Sequence, residues 1–174
     1  MIAITGHSDG IGKALFEKYA PNAIGFSRSN GYDISDRDSL DKILAAAVDC
    51  DVFVNNAHCD YAQVELLYAF SKARENTNKF IVNISSNSSD GIKQMPHPYA
   101  VQKSALDKAS EQLSRHGNAC RILNLRPGYI DTNRVKHVTD TKLRVESVVS
   151  IINWILHQPS DMSIVSLTVL PRDA

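Results

Sequence analysis

Short apolar runs alternate along this chain with longer segments in which apolar residues recur every three or four positions. "MIAIT" has the length and branching of a buried strand, and Ile11, Ala14 and Leu15 then share one face of a helix that ends before Pro21. "AIGFS" is a second strand. Only "RSNGYDIS" separates it from a third short segment and a helix in which Leu40, Ile43, Leu44 and Ala47 repeat at i, i+3, i+4 and i+7, which leaves no room for a crossover helix. "DVFVNN" and "KFIVNIS" are further strands, joined through a helix carrying Leu66, Leu67, Phe70 and Ala73. Tyr99 opens the next helix, whose stripe is Ala105, Leu106, Ala109 and Leu113. "CRILNLR" follows as a strand ending at Pro127 and Gly128, then a helix with Val145, Val148, Val149 and Ile152 leads into "SIVSLTVL". The pattern predicts one α/β domain over residues 1–174, a doubly wound parallel sheet with a crossover helix missing after the second strand.

Charge and cysteine usage narrow the partners. Nineteen Lys and Arg balance nineteen Asp and Glu among 174 residues, with no block of either sign, so neither a nucleic acid nor a membrane is expected as partner. Cys50, Cys59 and Cys120 are odd in number and widely spaced. That suits neither a disulfide framework nor a zinc cluster, and they read as reduced thiols with no metal site. The first residues lack the features of a signal peptide and no apolar run spans a membrane, so the expected location is cytoplasmic.

"TGHSDGIG", Thr5 to Gly12, lies between the first strand and the first helix, where a Rossmann phosphate-binding turn belongs. Gly6 permits the tight turn, Gly10 lets the backbone approach a pyrophosphate, Gly12 lets helix and sheet pack closely, and the helix N-terminus offers free N–H donors. Farther on, "YAVQK" places Tyr99 and Lys103 one helical turn apart, with Cβ atoms about 5–6 Å apart. A free phenol titrates near about 10, so a neighbouring ammonium would favour phenolate and ease proton transfer. The alternative is an exposed helical pair.

Taken together, the T-G-x-x-x-G-I-G turn, Asn55-Asn56-Ala57, the serines Ser85 and Ser86, Tyr99-x-x-x-Lys103 and "PGYIDT" at Pro127–Thr132 resemble, in order, the motifs of the short-chain dehydrogenase/reductase family. The resemblance implies an NAD(P)-dependent oxidoreductase that interconverts a carbonyl and an alcohol. In it Tyr99 would protonate the substrate oxygen, Ser86 would hydrogen-bond it and Lys103 would hold the nicotinamide ribose. It also implies a cofactor site of Gly6, Ser8, Asp9, Gly10, Ile11 and Gly12 in the first turn, and Ser27, Arg28, Asp33 and Ile34 after the second strand. Asn56, Ala57, Tyr99, Lys103, Pro127, Gly128, Ile130 and Thr132 complete it. The second strand ends in Arg28 with no acid, which favours NADP(H), with NAD(H) possible; Ser27 or Ser29 could add a hydroxyl, Asp9 argues the other way, and Asp33 would accept from the adenine amino group.

Several residues carry weaker expectations. Asn55 and Asn56 either brace neighbouring backbone or face the cofactor. His58 stands where the family usually has glycine, and either touches the cofactor or fills a surface notch, the notch being the favoured reading. His7 reads as solvent-facing, and His97 as a substrate contact or a bystander. The family's relay asparagine has no counterpart in "AQVELLYAFSKAR"; Gln63 could substitute but stays outside the expected catalytic set. The loop from Asn87 to Pro98, Tyr129 and the segment after Thr132 would form an open, shallow pocket for a small-molecule substrate. Resemblance also implies a homodimer or homotetramer paired through the helices at Leu66–Ala73 and Ala105–Leu113, with Tyr61 and Tyr68 at the interface. Two other readings stay open: a non-catalytic NADP-binding regulator, which needs the glycines and Arg28 but not the acid, and a sugar-nucleotide reductase or epimerase.

Overall fold

Ile2–Thr5 buries all four side chains and forms strand β1. The computed structural model describes residues 1–75, 77–91, 94–116, 120–159 and 161–172. After β1 come helix α1 (Gly10–Tyr19), β2 (Ala23–Phe26), α2 (Arg37–Ala47), β3 (Val52–Asn55), α3 (Ala62–Ala73) and β4 (Phe80–Ile84). The chain continues through α4 (Pro98–Arg115), β5 (Arg121–Pro127), α5 (Val145–Leu156) and β6 (Ser166–Val169). All six strands are parallel, in the order β2-β1-β3-β4-β5-β6.

Parallel strands buried on both faces need two apolar layers, and the strand sequences supply them. Ala3, Phe53 and Ile81 point to one layer with Ile43 of α2, Leu66, Leu67 and Phe70 of α3 and Leu106 of α4. Ile4, Val54 and Val82 point to the other, with Leu15 of α1 and Val148, Val149 and Ile152 of α5. The register pairs Ile4 with Val54, Asn55 with Asn83 and Ile84 with Leu125, so the C-terminal ends of β1, β3, β4 and β5 lie along one edge of the sheet. Because β2 and β3 flank β1 on opposite sides, the strand order reverses there, and the region beyond those ends is where sheets of this topology have their ligand crevice.

The missing crossover predicted after the second strand is present as a missing unit. Residues 28–30 make a single 3-10 turn, and the chain runs on without further strand or helix to α2. The third short segment expected around Ile34 is not a strand; Ile34 turns its side chain into the first core layer. In place of a further strand, Asn30 closes the edge: its Nδ2 donates to Gly25 O at 2.8 Å, and its Oδ1 accepts from Ser27 N at 2.8 Å. β2 is therefore the outer strand, with one carbonyl already occupied.

A second device ties the ends of α2 and α3 together. Arg74, immediately after α3, is wholly buried and donates to Ala47 O, Cys50 O and Phe80 O at 3.0, 2.8 and 3.2 Å. Its guanidinium lies 5.1 Å from the Phe70 ring centre and 6.0 Å from that of Phe53. Cys50 and Cys120 are buried, and Cys59 is half-buried. Among the described residues no helix is long and apolar enough to cross a membrane.

Candidate active site

The turn after β1 is built for close backbone approach. Gly10, the first residue of α1, has φ of 53°, a left-handed conformation that favours glycine, and Gly6 has φ of 71°. A Cβ on Gly12 would lie 2.1 Å from Gly6 O, so any side chain there would force helix and turn apart. Asp9 caps α1, its carboxylate accepting from Gly10 N at 2.8 Å, and Ser8 and Asp9 are exposed beside it. Thr5 Oγ1 accepts from Asn56 N and Ala57 N, both at 3.0 Å, while Asn56 Nδ2 donates to Thr5 O at 2.9 Å. The bracing alternative is thus the one seen for Asn56. Asn55 also braces, donating to Gln63 O and Asn83 Oδ1.

From the opposite direction Thr132 reaches the same turn. Its Cγ2 would stand 3.2 Å from a Cβ on Gly10. The approach is fixed by Gly128 N donating to Val169 O and by a short pairing of residues 129–131 with Leu143. Pro127 is buried, and Ile130 packs against the second core layer. Ile11 and Ile34 also bury their side chains, so only their backbones can face a ligand. At the far end of the crevice Ser27 Oγ is 2.7 Å from Ser29 Oγ and Arg28 is exposed. Asp33 Oδ1 accepts from Ser35 N and Oγ, and these bonds, with the Arg28 charge, hold its carboxyl below the usual range.

Ser86, Tyr99 and Lys103 meet at the ends of β4 and the start of α4. Ser86 Oγ accepts from Ser88 N at 3.2 Å and Ser88 Oγ at 2.9 Å, which leaves its own O–H to donate outward. Burial raises the Tyr99 phenol above its ordinary value, opposed by the neighbouring Ser86 hydroxyl and the Arg134 charge. Lys103 Nζ lies 5.5 Å from the Tyr99 ring centre, but donates to Gln63 Oε1 at 2.7 Å and Ile84 O at 2.8 Å. Burial, with Arg134 adding and Asp107 opposing, draws this ammonium down from 10.5 to about 7.

Two histidines contradict their sequence expectations. His58 does not fill a surface notch: its ring meets Tyr99 edge-on at 4.8 Å, and burial, then the charges of Lys103 and Arg134, draw it down to about 4, so it is neutral at neutral pH. His7 is not solvent-facing: its ring packs over Gly25, where a Cβ would meet it at 2.3 Å, and lies 5.0 Å from Phe16. The crossover helix that would cover this part of β2 is absent, and His7 packs there. The His97 ring centre lies 6.0 Å from that of Tyr99. The expected pocket includes Ile92 and Lys93, which lie outside the described residues. Tyr129 is exposed.

The residues that hold the site were less visible in the sequence. Asp107 accepts from Ser85 Oγ, Ser89 Oγ and Asn124 Nδ2 and pairs with Arg126 Nε at 3.1 Å. Ser104 Oγ donates to Ser89 O at 2.7 Å, so α4 and β5 together grip the serine turn. Gln63 had a signal: it stands three, four and seven positions before Leu66, Leu67 and Phe70, a polar residue on a buried stripe. Arg134 had none.

Comparison with known proteins places this geometry on a familiar scaffold. No family model matches the chain, and no curated protein matches it. Solved structures do. An alcohol dehydrogenase from the archaeon Thermococcus sibiricus, complexed with 5-hydroxy-NADP, superposes with a TM-score of 0.78 at 19% identity, over 97% of this chain and 94% of that one. A short-chain dehydrogenase from Burkholderia cenocepacia J2315, in complex with NADP, gives 0.80 at 18% identity, over 99% and 87%. A 3-ketoacyl-(acyl-carrier-protein) reductase from Brucella melitensis, complexed with NADH, gives 0.81 at 14%, over 97% and 96%. The chain has the Rossmann-like fold of the short-chain dehydrogenases.

Proposed function

We propose that this chain is a short-chain dehydrogenase/reductase that uses NADP(H), and NAD(H) less well, to interconvert a carbonyl and an alcohol. The observation that carries the reading is the meeting of Ser86, Tyr99 and Lys103 beside a glycine turn that Thr132 reaches from the other side. The turn suits a pyrophosphate: there is no room for a side chain at Gly12, and the turn leads directly into the N-terminus of α1, the end of a helix that favours an anion. Arg28, exposed at the end of β2 with no acid beside it in sequence, suits the 2′-phosphate of NADP(H).

When bound, the reduced nicotinamide supplies the hydride. The chain's own residues handle the oxygen that becomes an alcohol. Tyr99, kept protonated by burial, donates its phenol proton to that oxygen, and Ser86 donates the hydrogen bond that strengthens as negative charge develops there. Lys103, with two of its three N–H donors committed to Gln63 and Ile84, directs the third toward the ribose hydroxyls and the phenol. The reverse reaction returns the proton to Tyr99. We place the protein in the cytoplasm, in keeping with an odd number of widely spaced cysteines, and as a homo-oligomer paired through α3 and α4, where Tyr61, Tyr68 and Val101 are exposed.

A screen of ketones, aldehydes, 3-oxoacyl thioesters and pterins, followed by loss of reduced nicotinamide absorbance, tests this. Turnover of one class is expected, faster with NADPH, and Arg28→Ala should reduce the cofactor preference about tenfold. Tight cofactor binding with no turnover of any class would instead support a non-catalytic binding protein.

A further inference from the structure

We infer that Gln63 is the positioning residue for Lys103, holding its ammonium directly, side chain to side chain, and so aiming its remaining donor into the site. The inference rests on the catalytic reading given above. Gln63 Nε2 donates to Asn55 O at 2.6 Å and Ile84 O at 3.1 Å. Both partners are carbonyls, which can only accept, so the amide cannot be turned over and its oxygen must face Lys103. That oxygen takes Lys103 Nζ at 2.7 Å, and Ile84 O takes a second N–H at 2.8 Å. All of this is buried: Gln63 is 2% exposed and Lys103 3%.

Side-chain length explains why the residue is glutamine. An asparagine here is one methylene shorter and could not span from the Asn55 and Ile84 carbonyls to the ammonium. A glutamate would reach, but would set a carboxylate against two carbonyl oxygens. The charged and titratable groups facing Lys103 are Tyr99 and Asp107 from α4, His58 from the segment after β3 and Arg134 from the segment after β5. From α3 and the end of β4 it meets the neutral Gln63 amide and the Ile84 carbonyl. Gln63 therefore supplies a neutral acceptor that favours the charged ammonium without pairing it as a salt bridge would.

The test is an NMR titration of the Lys103 ammonium in protein carrying isotope-labelled lysine, with kcat/KM against pH measured in parallel on the best carbonyl substrate. In Gln63→Met the ammonium loses an acceptor, and its midpoint should fall by about one pH unit, taking the alkaline limb of activity with it. In Gln63→Glu a carboxylate faces it, and the midpoint should rise by a similar amount. Opposite shifts support the inference, and the glutamate variant alone suffices if the methionine variant does not fold. Unmoved midpoints with wild-type activity intact would overturn it and leave the catalytic reading standing. No carbonyl reduction by the wild-type protein would overturn both.

Discussion

Lys103 shows at the scale of one residue what burying a cation costs the fold. A lysine whose value falls from 10.5 to about 7 on folding binds fewer protons in the folded state than in the unfolded state between those limits. Stability from this group is fully present above 10.5 and is lost as pH falls toward about 7, so at neutral pH the buried ammonium opposes folding. Wild-type protein should gain stability between about pH 7 and 10 through this group, and Lys103→Met should flatten that gain while removing turnover. Urea unfolding at several pH values checks this; identical slopes in the two proteins would contradict it. That Ser86, Tyr99 and Lys103 stand near one another was legible, because a strand end and the first turn of the following helix bring them together. What Lys103 touches was not legible, because Gln63 reaches it from forty residues away and the contact exists only once α3 and α4 have packed on the sheet.

Secondary-structure elements were the easiest part to read. Strands buried on both faces appear as unbroken apolar runs, and each α-helix shows its stripe, so among the described residues α1–α5 and β1–β6 were anticipated near their observed bounds. Residues 27–36 were read correctly as too short for a crossover, but no periodicity could show that Asn30 would close the sheet edge or that Ile34 would pack as an isolated core side chain. His7 and His58 were misread for the same reason: a polar residue in a turn looks solvent-facing until a missing helix or a neighbouring ring gives it something to pack on. Arg74 is the least expected feature at this scale. Among the described residues no carboxylate pairs with it, and it serves instead as a triple donor to the Ala47, Cys50 and Phe80 carbonyls. Arg74→Met keeps the volume but leaves those acceptors without a donor, and should cost about 2–4 kcal/mol in denaturant unfolding. An unchanged midpoint would show that the guanidinium contributes nothing net.

For the whole molecule the sheet order matters most, since it places the glycine turn, the serine turn, the start of α4 and Thr132 along one edge. The same edge is the part of the fold that survives removal of the crossover unit, because that unit lies outside β2 and the chemistry lies beyond β1, β3, β4 and β5. If α3 and α4 pair between copies, sedimentation at micromolar concentration should give a multiple of the 19.2 kDa chain mass, and Tyr68→Lys should shift it toward the monomer. A single-chain mass for the wild type would remove the oligomer from the account. The central claim is that Tyr99 is a proton donor in a working reductase. Steady-state turnover of Tyr99→Phe, with cofactor affinity measured on the same sample, tests it most directly, since the change removes one oxygen and almost no volume. The expected result is wild-type folding and cofactor affinity with turnover reduced roughly 100-fold or more. Near-normal turnover in the folded variant would contradict the mechanism.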